Sequence, residues 1–340
     1  MPKKDATEYR WNSGPFQIGI VANGGAISRI DWLRPDGTGT INLLRPVTEQ
    51  ALASGNPSSL GCFPMVPFAN RLAFAQFEFD GRLVNVPANR PPSPHAIHGF
   101  GRGAVWKIER PTDDTLRINH THDDPDTGFS YAAWQEFKVT QDDVTIEIGV
   151  QHMGRDPMPY GIGLHPWFPA TLDTSVSFVA SDCFATDADM LPTAHTVIDL
   201  GRDFADGKLI RHHRGLDVHY AGWQGEADMI WGDAGYGLHM SASDSLSNLQ
   251  FYIPEDGQTF CVEPVSHVPN VHNHPEFKDF GDLTVLDQND ILTGSMTLTP
   301  RLIDPTDQNL VAHDDIDDEE GSDAGNDVLR ADKRDRLLVD

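Results

Sequence analysis

Polar and apolar residues alternate along much of the chain, which is the pattern of half-buried strands. Gln76-Phe77-Glu78-Phe79 alternates, meets the turn pair Asp80-Gly81, and continues as Leu83-Val84-Asn85-Val86. That arrangement predicts a hairpin. Thr115 to His120 alternates too, and Glu136–Val139 and Val144–Ile148 flank the polar turn Gln141-Asp142-Asp143. Leu249 to Ile253 leads through Pro254-Glu255-Asp256-Gly257 into Thr259-Phe260-Cys261-Val262, and Ser295 to Thr299 forms a last strand candidate. Helical periodicity is confined to short segments such as Val47 to Leu52. With 24 Pro and 30 Gly spread throughout, the pattern predicts an all-β sandwich of antiparallel sheets.

Composition changes this picture at the C-terminal end. The chain has 340 residues, 39% of them hydrophobic, enough for a sizeable core. From about residue 304 the sequence turns acidic. Residues 304–340 hold 13 Asp and Glu against 4 Arg and Lys, and Asp314 to Glu320 is acidic except at Ile316. This predicts one β domain over 1–303 and a disordered acidic tail over 304–340, with Arg330 to Val339 a short helix candidate within it. The tail carries −9 of a total charge of −26, so the body is acidic as well. Nucleic acid is excluded as a partner, since phosphate contacts need clustered Lys and Arg. Cys62, Cys183 and Cys261 have no motif spacing and read as reduced thiols. The polar N-terminus, and the lack of any run long enough to span a membrane, predict a cytoplasmic protein without a membrane partner.

Two segments carry candidate chemistry. One is Pro159-Tyr160-Gly161-Ile162-Gly163-Leu164-His165-Pro166-Trp167-Phe168, the other Cys261-Val262-Glu263-Pro264. Each sets one ionisable group at the end of an apolar, strand-like run. Brought together by a fold, His165 and Glu263 can act as an acid–base pair, one giving a proton while the other takes one. The residue types alone equally fit an exposed strand-end Glu and a core His.

Three more segments extend the pattern: Gly61 to Leu72, which contains Asn70-Arg71; Ile97-His98-Gly99-Phe100, after a Pro-rich loop; and Leu216-Asp217. With Gly161 to Pro166 and Val262-Glu263-Pro264, these blocks and their order resemble the aldose 1-epimerase (galactose mutarotase) family over about residues 16–301. The resemblance implies a β-supersandwich with its cleft on a concave sheet face. It implies a reaction that needs no cofactor and no metal, in which the α and β anomers of a free aldose interconvert by ring opening and reclosure. It makes Glu263 the base and His165 the acid. It places Arg71, His98 and Asp217 on sugar hydroxyls or the ring-oxygen side, and Asn70 beside them, where it also shapes the turn. The partner is then a monosaccharide, and the protein a monomer or homodimer.

Other residues stay open. His267 and Asn270 could border the pocket, and Trp167, Trp223 and Trp231 could be sugar platforms or core. His95, His212, His213, His267, His272 and His274 lack metal-site spacing and read as solvated loop residues. Three alternatives stand beside a free-sugar epimerase. The first is a hexose-6-phosphate 1-epimerase using Arg102, and the second a sugar-binding module without catalysis. The third is a glycoside hydrolase built on Asp217 and Glu263.

Overall fold

The computed structural model describes residues 8–109 and 111–303; the expectations for 304–340 lie outside them. Antiparallel strands dominate. A four-stranded meander, Glu8–Ser13, Phe16–Val21, Ala26–Leu33 and Thr40–Asn42, starts the fold. A nine-stranded sheet is centred on Phe129–Val139, Val144–His152, Ile291–Leu302 and Tyr236–Ala242, each paired with the next. An eight-stranded sheet runs Pro192–Val197, Asp182–Thr186, Asp217–Ala221, Asn248–Tyr252, Thr259–Val265, Gly163–Leu164, Pro64–Met65, with Trp167–Pro169 also paired to Thr259–Val265. The all-β, antiparallel expectation holds.

Local chemistry explains the connections. In the hairpin Gln76–Phe79/Arg82–Asn85, Asp80 and Gly81 both take positive φ (49° and 71°), as a two-residue turn matched to strand twist requires. The α-helix is Glu49–Ser54, two residues later than the periodicity predicts. Thr48 caps it by accepting the Ala51 N–H, and Gly55 closes it in the left-handed region.

The alternation of side chains decides what each sheet face does. In Phe129–Val139 the odd residues from Phe129 to Val139 are buried and most even ones half-exposed. The eight-stranded sheet differs, because both faces of its central strands are buried. Val218, Leu249, Phe251, Phe260, Val262 and Phe168 turn inward and join one hydrophobic cluster with Phe137, Ile146 and Met296 of the nine-stranded sheet. Trp231 and Phe260, ring centroids 6.1 Å apart, meet between the sheets. The intervening residues Asp217, His219, Gln250, Cys261, Glu263, His165 and Trp167 therefore share the opposite face.

One strand is longer than the sequence suggests. Thr259–Val265 runs through Pro264, because Val265 is paired on both sides, with Asn248 and with Gly163. Glu263 thus lies inside a strand rather than at its end. Removing core contact between the sheets should be costly. Leu298 is fully buried and pairs with Val144 and Met240, so Leu298→Ala is expected to lose about 2–5 kcal/mol, read as a lower denaturant midpoint at unchanged m-value.

Candidate active site

The site is a row of side chains across neighbouring strands. His219 pairs with Gln250, and Gln250 with Glu263. His165 lies beside Glu263 with Nε2 3.2 Å from Oε1. The backbone N–H of His165 in turn donates to the Phe63 carbonyl, and the two rings lie 4.4 Å apart. Phe184 continues the row past His219, at 5.7 Å. Sheet register alone thus brings together residues separated by a hundred positions. The sequence-expected acid and base are in contact, and both are buried, at 7% and 2% exposure.

Two loops complete the site. Arg71–Leu72 pairs with Ala96–Ile97, so Arg71 and His98 arrive side by side. Asn70 and His98 lock together. The Asn70 N–H donates to His98 Nδ1 at 3.1 Å, and the His98 N–H donates to the Asn70 carbonyl at 2.9 Å. Both residues hold positive φ, a strain that surrounding contacts must maintain. Since Nδ1 of neutral His98 accepts, its proton resides on Nε2. Gly99 follows because nothing larger fits: a Cβ there would lie 2.2 Å from the Val66 carbonyl oxygen, which accepts from the N–H groups of Phe100 and Gly101.

Asn70 is fully engaged. Its Oδ1 accepts the Arg71 N–H at 2.7 Å, and its Nδ2 donates to Gln250 Oε1 at 3.1 Å. Gln250 Nε2 donates to Asp217 Oδ1, so one buried amide ties the Asp217 carboxylate to the Arg71 turn. Sequence reasoning missed Gln250. Its signal was a polar residue inside the apolar run Leu249-Gln250-Phe251, in a strand buried on both faces.

Several assignments change. His267 is buried, not solvated: Nε2 accepts the Ala69 N–H at 3.0 Å while Nδ1 faces the Val268 carbonyl at 2.9 Å. Both ring nitrogens hold backbone, and burial lowers its pKa to about 4. His95 is also buried and accepts the Phe74 N–H. His272 is packed against Phe68 and Phe77, and burial keeps it neutral. The loop reading fails for these three because backbone N–H groups and aromatic rings fold over them. His212 is exposed, and His213 and His274 are partly exposed. Asn270 accepts the Ala73 N–H with Oδ1. Trp231 stacks on Tyr236 and Trp223 donates to the Glu226 carbonyl, so both belong to the core. Trp167 instead stacks on His165, ring centroids 5.4 Å apart, with the Arg45 guanidinium 4.1 Å from its ring centroid.

Electrostatics follows from this burial. Desolvation, and secondarily Asp217, push Glu263 well above the ordinary carboxylate range, against an opposing pull from Arg71. Desolvation, then Arg45 and Arg102, push His165 well below the ordinary imidazole range. His98 is lowered by burial and by His165. Burial thus favours the uncharged form of both groups, a carboxylic acid beside an imidazole.

His165, Cys261 and Glu263 offer ligand atoms within 4.8 Å of one another, which is the metal-type grouping found among the described residues. Burial pushes the Cys261 thiol well above its ordinary pKa.

A stability consequence can be checked. Glu263 titrates higher folded than unfolded, so its contribution is present below about pH 4 and is lost as pH rises through the folded pKa. Glu263→Gln removes that loss. The Tm advantage of Glu263→Gln over wild type should widen as pH rises above about 5, up to the folded pKa of Glu263; a constant or shrinking difference in thermal melts would contradict the assignment.

The family profile described as aldose 1-epimerase matches residues 8–299. The Escherichia coli K12 protein YphB, itself uncharacterized, is 27% identical over 300 residues, 86% of this chain and 98% of that protein. A solved structure of a candidate aldose 1-epimerase from Escherichia coli K12 superposes with a TM-score of 0.77 at 27% identity, covering 87% of this chain and 99% of that one. A GalM/aldose epimerase homologue from C. elegans shares the fold with a TM-score of 0.74 at 16% identity, covering 88% and 100%. Among the described residues no helix is long and apolar enough to cross a membrane. The galactose-mutarotase-like sandwich and the family match together identify the chain as a member of the aldose 1-epimerase family.

Proposed function

We propose that the protein is an isomerase that interconverts the α and β anomers of a free aldose. The observation that carries this reading is the buried contact between Glu263 and His165, Oε1 to Nε2, at 3.2 Å. Ring opening requires removal of the proton from the C1 hydroxyl and protonation of the ring oxygen O5. Glu263 takes the first proton and His165 supplies the second. The C1–O5 bond breaks, the open aldehyde turns about C1–C2, and closure on the other face runs both transfers backwards. Arg71 and Asp217 hold hydroxyls remote from C1, and His98 offers its Nε2–H near O5. Asn70 and Gln250 keep these groups in place.

The proton inventory supports the roles. The working form, carboxylate plus imidazolium, contains the same number of protons as the neutral resting pair. One proton moving between Oε1 and Nε2 converts one into the other without exchange with water. The pair titrates as a unit. It gains a second proton only below the ordinary His range, because His165 is depressed. It loses its last proton only above the ordinary Glu range, because Glu263 is raised. The pH profile of kcat/KM should be bell-shaped, with the acid limb below about 6.5 and the alkaline limb above about 4.3. A rate that keeps rising with pH and shows no alkaline limb would exclude a one-proton pair.

The direct test is polarimetry on freshly dissolved α-D-glucose and α-D-galactose. Wild type should accelerate mutarotation over buffer. Glu263→Gln should lose about 10²–10⁴-fold in kcat while still binding sugar; near-normal turnover in that variant would remove Glu263 from the mechanism.

A second reading, an anionic aldose such as a hexose 6-phosphate, draws on Arg102. Its guanidinium lies 5.6 Å from the Phe63 ring centroid, one ring away from His165. It donates to Ser58 Oγ at 2.9 Å and has no carboxylate partner among the described residues. Acceleration with glucose 6-phosphate alone would favour this reading.

A further inference from the structure

His165 stands in the middle of a chain of stacked groups. Trp167 lies against its imidazole, with ring centroids 5.4 Å apart and planes 18° from parallel. Phe63 also lies against it, at 4.4 Å and 32°. Each of these two rings carries a guanidinium, Arg45 at 4.1 Å from the centroid of Trp167 and Arg102 at 5.6 Å from that of Phe63. The order of contacts is cation, indole, imidazole, benzene ring, cation.

Hydrogen bonds fix the same neighbours. The Arg45 N–H donates to the Trp167 carbonyl at 2.8 Å, and the His165 N–H to the Phe63 carbonyl at 3.0 Å. One residue then ties the two ends of the chain together. Arg45 Nη2 donates to the Ser58 carbonyl, and Arg102 Nη1 donates to Ser58 Oγ at 2.9 Å. Arg45 Nε adds a bond to the Leu60 carbonyl at 2.9 Å. Ser58 belongs to the short 3-10 turn Pro57–Ser59, which Asn56 opens by accepting the Ser58 N–H with Oδ1 at 3.1 Å. These bonds go to neutral oxygens, so they hold the guanidiniums without cancelling their charge. Apolar side chains would cover the two rings as well, and without the cost of half-burying two cations.

The charges have a target. Besides the two arginines, the groups that face His165 are Glu263 at 3.2 Å, Cys261 with Sγ within 4.8 Å of an imidazole nitrogen, and His98 edge-on at 5.2 Å. The Cys62 thiol faces its backbone, and the Tyr252 ring meets the far side of the chain at Trp167, 5.8 Å between centroids. Glu263 in turn feels Asp217 and Arg71. Glu263 and His165 share one proton when they work as a pair, and the pair then has no net charge, whichever group holds the proton. A second proton makes it an imidazolium beside a carboxylic acid, net positive and without a base. Loss of the last proton makes it net negative and without an acid. Nearby cations act weakly on the first state, oppose the second and favour the third. In keeping with this, Arg45 and Arg102 follow burial among the causes that hold His165 below the ordinary imidazole range.

We propose that Arg45 and Arg102, tied together by Ser58, are positioning residues for His165: they clamp its imidazole against Trp167 and Phe63 and keep a second proton off the pair, so that His165 takes its proton from Glu263 and not from water. This rests on the epimerase reading for the use of the pair in turnover, but not for its protonation. Arg45→Met and Arg102→Met keep a flexible apolar chain against the ring and lose the charge. Arg45→Lys and Arg102→Lys keep the charge and lose the planar fork. In each variant kcat/KM for mutarotation is followed against pH, and the ring nitrogens of His165 are titrated by NMR, which needs no turnover.

Each Met variant should move the acid limb of the bell up by about half a pH unit and move the alkaline limb in the same direction. The Lys variants should return the acid limb towards wild type. Loosened packing gives a different pattern. Water entering the site eases both charged states of the pair, so the acid limb rises, the alkaline limb falls and the bell narrows. A bell that narrows in the Met variants, limbs that stay in place, or Lys variants that behave like the Met variants would overturn the proposal. A His165 midpoint that rises in the Met variants and returns in the Lys variants, without acceleration of any sugar by wild type, would keep the role of the arginines and overturn the epimerase reading instead.

Discussion

The site depends on taking a carboxyl and an imidazole out of water together. An isolated buried carboxylate is costly, and an isolated buried imidazolium is equally so. Here the two are adjacent, with the same strands burying both. Glu263 is raised and His165 lowered by the one cause, desolvation. The result is a pair that stays neutral at rest yet needs only one internal proton shift to become ionic. The strand that carries Glu263 also carries Val262 and Phe260 into the main core. The packing that holds the two sheets together therefore fixes the distance between the carboxyl and the imidazole.

Charge around the site runs against charge on the molecule. The chain carries −26, yet guanidinium groups gather at the cleft. Arg45 lies over Trp167, Arg102 lies near Phe63, and Arg71 sits beside His98. Arg45 and Arg102 both lower His165, and Arg71 alone opposes the rise of Glu263. These cations act on the pair from behind an aromatic wall of Phe63 and Trp167, where little water screens them. Asp217 works in the other direction, raising Glu263 and leaning on Arg71. Ionised Glu263 is thus held between one repelling carboxylate and one attracting guanidinium, a balance a bound hydroxyl can tip.

The fold was legible in the sequence where alternation and turn chemistry are local. The Asp80-Gly81 hairpin is an instance, since both turn residues have positive φ as that pair allows. The helix boundary was misplaced because Val47 has the right period but lies before the Thr48 cap. The end of the Glu263 strand was misplaced because Pro264 looks like a terminus. Only the pairing of Val265 with strands far away in sequence carries the strand through it. The buried His residues were misread for a related reason. Nothing near His267 in sequence announces that the Ala69 N–H, 198 residues away, will need its nitrogen.

Gln250 shows where local reading stops. Its neighbours in sequence say only that a polar residue interrupts an apolar strand. Its neighbours in space are Asn70, His219, Asp217 and, across the register, Glu263. An amide carries no charge, yet it can donate to a carboxylate at one end and accept from an amide and an imidazole at the other. A charged residue there would shift Glu263 directly, and an apolar one would take a hydrogen-bond partner from the buried Asn70 amide and His219 imidazole. Gln250 therefore ties Asn70 and Asp217 mechanically to the strand that carries Glu263 without adding a charge beside it. The sheet register that places it between Asp217 and Glu263 is thus as much a part of the site as the ionisable residues themselves.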